Sequence, residues 1–161
     1  MAQEPSCLLR AAMIQSSPEI TFRHPLNPDS EVHLRMLSRA TGMQRAGVSV
    51  GRLAPGRESF IYHFHRHQEE WIYILSGRGV AEIGDESFEV GAGDFMGFTA
   101  PSPGHSLRNP FDQDLVYLMG GESTNFEVGV FPRHGKRAIF DGDSAHIVDD
   151  GDLTPFTPRA K

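Results

Sequence analysis

At 161 residues, with 39% hydrophobic and 22% charged side chains, the chain has the size and make-up of one globular domain with its own core. A formal net charge of −6 supplies neither a basic face for nucleic acid nor a polybasic patch for a membrane surface. The single Cys7 excludes an internal disulfide, no apolar run reaches membrane-span length and no signal peptide precedes the domain, so a cytoplasmic protein is expected.

Seventeen glycines and eleven prolines, scattered without a repeat, predict many turns and an all-β chain. In residues 1–30 there is no sustained period, and Pro5, Pro18, Pro25 and Pro28 exclude a long helix, leaving an extended arm. Glu31 to Leu37 alternates as a half-buried strand, Ser38 to Gly42 reads as a turn or single helical turn, and Ala46, Val48 and Val50 alternate again. Ser59 to His65 reads as one strand, with Ser59, Ile61, His63 and His65 on one face and Phe60, Tyr62 and Phe64 on the other. Glu70 to Leu75 follows, then Val80 to Ile83, a hairpin turn at Gly84-Asp85, a return through Phe88 and Val90, and a short strand from Phe95 to Phe98. Leu115 to Met119 is a continuous apolar run of the kind found in buried strands, and Phe126, Val128 and Val130 alternate once more. The expected division is an arm at 1–30, a barrel at 31–132 and an acidic extension at 133–161. The last is read as a solvated tail, because its aspartates lack the ordered spacing of a calcium loop.

The chemistry concentrates in His63 to Gly77, HFHRHQEEWIYILSG. Side chains two apart on a strand share a face, so His63 and His65 project together. A hairpin through Arg66 to Glu69 would return Glu70 opposite them. His105, after the Pro103-Gly104 turn, is a fourth candidate. Imidazoles and a carboxylate on one wall suit a borderline divalent metal. His67 continues the two-residue series and offers an alternative pairing with His65.

Gly56, His63, His65, Glu70 and Gly77, followed by Gly93, Pro103-Gly104, His105 and Asn109, resemble the two motifs of the cupin superfamily. The resemblance implies an all-β double-stranded β-helix, or jelly-roll barrel. It also implies one divalent transition metal ion (Zn, Fe, Mn or Ni) held by His63, His65, Glu70 and His105, a small-molecule substrate and a homodimer. The chain is similar to single cupins labelled sugar-phosphate isomerases, so a sugar or sugar-phosphate isomerase is the first expectation. An Fe(II)-dependent dioxygenase and a non-catalytic metal- or ligand-binding module are the alternatives. The residues themselves assign no catalytic acid or base: Tyr62 and Tyr73 alternate away from the ligand faces. Ser59, Ile61, Ile72, Met96, Phe98 and Leu107 are candidates for the pocket floor, and Arg57, Arg78 and Arg108 for receiving a carboxylate or phosphate.

Overall fold

The computed structural model describes residues 5–156. The arm contains a short helix, α1 (Ala11–Ser16), and a strand, β1 (Ile20–Phe22). β2 (Val32–Met36), a single helical turn α2 (Leu37–Ala40) and β3 (Ala46–Leu53) follow. Then come β4 (Phe64–His65), β5 (Glu70–Ser76), β6 (Arg78–Ile83), β7 (Glu86–Gly91), β8 (Phe95–Phe98) and β9 (His105–Arg108). The chain continues through β10 (Leu115–Glu122), β11 (Phe126–Phe131), β12 (Lys136–Asp141) and β13 (Ser144–Asp149). No helix among the described residues is long and apolar enough to cross a membrane.

Six strands form one sheet in the order β1-β2-β3-β10-β5-β8, and two smaller sheets run β13-β12-β11-β4 and β7-β6-β9. Two isolated bridges, Glu58 to Arg108 and His63 to His105, tie the chain before β4 to β9 and join the smaller sheets into a second wall. Leu53, Ile74, Leu115 and Tyr117 from the large sheet pack against Ala81, Val90 and Leu107 from the second wall. Burying this apolar surface between two antiparallel layers is what holds the jelly roll closed. Gly77 turns the chain from β5 into β6 at φ +79°, a left-handed conformation that side chains other than glycine adopt only under strain. At Gly51 the reason is space, since an added Cβ would stand 2.6 Å from the Tyr117 ring.

Several local expectations change. Only Phe64 and His65 of the expected strand at 59–65 are regular, so Phe60 escapes the outer face and packs against the main core. Ile61 joins Phe131 and Ala138 in a separate cluster instead. Residues 66–69 do not close a hairpin, because β4 pairs with β11 while β5 pairs with β10 and β8; the turn carries the chain from one wall to the other. In β11 the inward positions include Glu127, Gly129 and Phe131, and Phe126 is exposed. In β3 they are Ser49, Gly51 and Leu53 rather than Ala46, Val48 and Val50. The acidic extension is not a free tail: β12 and β13 form a hairpin that widens the β11 sheet, although most of β13 remains exposed. Residues 1–4 of the arm and 157–161 of the extension lie outside the described residues.

Candidate metal centre

His63 and His105 face each other through two backbone hydrogen bonds, His63 N–H to His105 O at 3.0 Å and His105 N–H to His63 O at 2.8 Å. This pairing sets the two side chains on the same face of the second wall. Their Nδ1 atoms lie against carbonyls of their own turns, 2.7 Å from Ile61 O for His63 and 3.3 Å from Pro103 O for His105. An imidazole that donates from Nδ1 keeps its Nε2 lone pair free. Both Nε2 atoms point at Glu70, which opens β5 on the facing sheet: His105 Nε2 is 2.6 Å from Oε1 and His63 Nε2 is 3.7 Å from it. The Phe98 ring stacks on the His105 imidazole at 3.6 Å and 10°, fixing its plane.

His63, Glu70 and His105 each offer one donor atom, and these atoms all lie within 4.8 Å of one another. Donors bound at roughly 2.1 Å to one first-row ion stand about 3.0–3.4 Å apart, so the His105 and His63 approaches to Glu70, at 2.6 and 3.7 Å, fall on either side of that spacing. His65 stands beside this trio rather than inside it. Its ring is 5.2 Å from that of His63, and its Nε2 is 3.7 Å from the second Glu70 oxygen. Despite the short approach of His105, Glu70 Oε1 is buried without a well-directed hydrogen bond. His67 is exposed and its Nδ1 lies 3.6 Å from Glu127, so the alternative His65/His67 pairing does not form at Glu70.

Electrostatics follow burial. Desolvation presses the His63 imidazole down to about 4, helped by neighbouring His105 and His65 and opposed by Glu70. Burial alone would raise the Glu70 carboxyl, but the His105 contact and the nearby imidazoles outweigh it and hold the group at about 2. At neutral pH Glu70 is therefore a carboxylate and His63 a neutral imidazole, the states in which each can serve a cation.

Sequence reasoning missed Glu127. It is 1% exposed and accepts hydrogen bonds from the backbone N–H of Arg66 at 2.8 Å and of His67 at 3.2 Å. Its Oε1 also lies 3.6 Å from His65 Nδ1, beyond hydrogen-bond reach, and that buried ring nitrogen has no hydrogen-bond partner among the described residues. The only sequence signal was a charge inside an alternating run whose apolar face looked like the core. Tyr117 was missed too: it is fully buried, its hydroxyl has no hydrogen-bond partner, and burial pushes its pKa up, so it stays a neutral phenol.

Three cavities meet the cluster, one of them a polar recess of about 180 Å³ lined by Ser49, His65, Gln68, Glu70 and Glu122, among others. A small inner one, about 30 Å³, is lined by Ser59, Ile72, Met96, Phe98, Leu107 and Tyr117, among others. These include every expected floor residue except Ile61. A larger outer cavity of about 290 Å³ touches His63, His65 and Glu70 and opens between the arm and the β11–β12 hairpin. Arg57, Arg78 and Arg108 line none of the three. The Tyr62 hydroxyl donates to Gly84 O and Tyr73 faces outward, both away from the cluster as expected.

Residues 49–121 match the model of the Cupin domain family. No curated protein matches the sequence. Among solved structures, a provisionally named sugar phosphate isomerase from Acidithiobacillus ferrooxidans is 30% identical, with 94% of this chain and 97% of that chain covered and a TM-score of 0.90. A sugar phosphate isomerase from a cupin superfamily, from Silicibacter pomeroyi, is 24% identical over 94% of this chain and 97% of that one, at a TM-score of 0.80. A predicted oxalate decarboxylase from Thermotoga maritima is 23% identical over 73% and 99% of the two chains, at 0.59. The last two similarities concern the fold alone.

Proposed function

This chain belongs to the cupin superfamily, and from that premise we propose that it is a metal-dependent enzyme acting on a small molecule, with one divalent transition ion held by His63, His65, Glu70 and His105. The observation that carries this reading is Glu70 Oε1, a buried carboxylate oxygen with no hydrogen-bond partner, ringed by imidazoles. Kept without a cation, such a group costs several kcal/mol of desolvation. A cation offsets that cost and uses lone pairs that already converge. The mixed nitrogen and oxygen donors favour Zn, Fe, Mn or Ni over Ca or Mg.

When bound, such an ion supplies Lewis-acid polarisation of a substrate oxygen. The chain supplies the rest. His63 and His105 are pre-aimed by their backbone pairing and their Nδ1 contacts, and Glu127 stands behind His65 at 3.6 Å. Met96, Phe98, Leu107 and Met119 keep water from the inner side of the cluster. Isomerisation of a carbonyl and hydroxyl pair is the first reading, supported by the name of the 30%-identical neighbour. An iron-dependent dioxygenase is the second, favoured by the apolar walls. We place the enzyme in the cytoplasm as a homodimer, a state that native mass spectrometry showing monomer alone would overturn.

Elemental analysis of protein purified without chelator or nickel resin is the test. Near-stoichiometric Zn, Mn or Ni, with turnover indifferent to oxygen, supports the isomerase. Iron with substrate-dependent oxygen uptake supports the dioxygenase. Uptake of metal and ligand without turnover would make the protein a binding module, and failure to retain any metal on reconstitution would remove the proposal.

A further inference from the structure

A phosphorylated sugar needs a cation or an amide nest to receive its phosphate. Among the described residues, none of the three cavities at the metal cluster is lined by a lysine or an arginine. Three arginines are held by carboxylates elsewhere on the surface: Arg133 by Glu82, Arg52 by Glu19 and Asp114, and Arg78 by Glu89. His24, the further titratable group in the outer cavity, is held neutral by burial, with His134 adding to the effect. Its Nδ1 accepts the Leu26 N–H, so it presents no positive charge.

What lines the outer cavity is aromatic. Phe131 meets His24 edge-on at 5.1 Å, His24 meets Phe22 at 6.3 Å, Phe22 meets Phe60 at 5.0 Å, and Phe60 meets His63 at 6.1 Å. A continuous run of rings thus links buried Phe131 to a candidate ligand. Phe140 of β12 and Met119 of β10 complete the enclosure. The cavity, about 290 Å³, accommodates a six-membered ring with a short chelating head. Ring edges and faces on its wall favour a flat apolar guest through offset and edge-on contacts.

Building on the metal reading above, we infer that the substrate joins an oxygen-chelating head, bound at the His63/Glu70/His105 cluster, to a flat apolar body seated between Phe22, Phe60, Phe131 and Phe140, and that it carries no phosphate. Both proposed reaction types are compatible with such a molecule. The parts of the chain outside the barrel core, Phe22 and His24 in the arm and Phe140 in the terminal hairpin, then set specificity rather than chemistry.

The test titrates metal-loaded protein with three probes that share one O,O-chelating head: acetohydroxamate, benzohydroxamate and phosphoglycolohydroxamate. Benzohydroxamate is expected to bind at least about tenfold more tightly than acetohydroxamate, and the phosphate-bearing probe no more tightly than acetohydroxamate. Phe140→Ala changes a ring that is 39% exposed, so the variant should fold, and it is expected to narrow the benzohydroxamate advantage about threefold or more. Equal affinities for the first two probes, or preference for the phosphate-bearing one, would overturn the apolar body while leaving the metal site standing. An unaltered ratio in Phe140→Ala would overturn the mouth as the seat of the ring. Protein that retains no metal and binds none of the three overturns the metal reading, and the inference with it.

Discussion

Two carboxylates flank the His65 imidazole, and their surroundings differ in kind. Glu127, at the outer end, accepts backbone N–H groups from Arg66 and His67, so its charge is absorbed by the bend between β4 and β5. Glu70, at the inner end, meets ring nitrogens, and its Oε1 has no hydrogen-bond partner. A buried carboxylate served by amides belongs to the fold. One facing imidazoles offers the donor set that the proposed cation would use. The same side-chain type therefore stabilises the chain on one side of His65 and equips it for binding on the other.

The largest expected effect is on metal retention. Glu70→Gln and His63→Ala should each reduce the metal left after dialysis from near-stoichiometric to near zero, whereas Glu127→Gln should weaken affinity only about tenfold or less, because Glu127 stands behind the candidate ligands rather than among them. Comparable loss in all three variants would erase the distinction between the carboxylates. Stability should show the reverse order. In metal-free protein, Glu127→Ala takes the acceptor from the His67 N–H, leaves the Arg66 N–H with Val128 O alone and opens a buried space, and should cost about 1–3 kcal/mol by urea unfolding, while Glu70→Gln should stay within about 1 kcal/mol or raise stability.

Acidification sharpens the contrast further. His63 is held at about 4 against an ordinary 6.5, so the unfolded chain takes up that proton first, and metal-free stability should fall as pH drops from 6.5 towards 4. His24, also held low, acts in the same direction. Glu70, at about 2 against 4.5, contributes stability that is lost only below 4.5. Metal affinity, followed by competition with a chromophoric chelator, should weaken through the His63 window as protons compete for its lone pair. The smallest effect concerns Tyr117, whose hydroxyl is buried without a partner. Tyr117→Phe should leave stability unchanged or raise it by up to about 1 kcal/mol; a loss above that would mean the hydroxyl is hydrogen-bonded.

The convergence of His63, Glu70 and His105 was legible because its parts are local: a two-residue spacing, a carboxylate at the start of the next strand, and a turn delivering His105. Strands such as Phe95–Phe98 and the Gly84-Asp85 hairpin were legible for the same reason. Glu127 was not, since alternation defines two faces without saying which is inside, and the apolar Phe126 face pointed outward. Phe60 was hidden by a break in strand regularity before β4. Phe22, His24 and Phe140 reach the cavity only through pairings across the sheets, between β1 and β2 and between β11 and β12, which no local pattern encodes.

The mutual backbone pairing of His63 and His105 has a kinetic consequence. Each amide proton is protected by the other residue's carbonyl, so any excursion that frees one frees the other. An ion clamping both imidazoles would have to be released before that excursion. Hydrogen–deuterium exchange at these two amides should therefore slow in concert on metal loading, making the pair an internal gauge of occupancy that needs neither a substrate nor an activity assay.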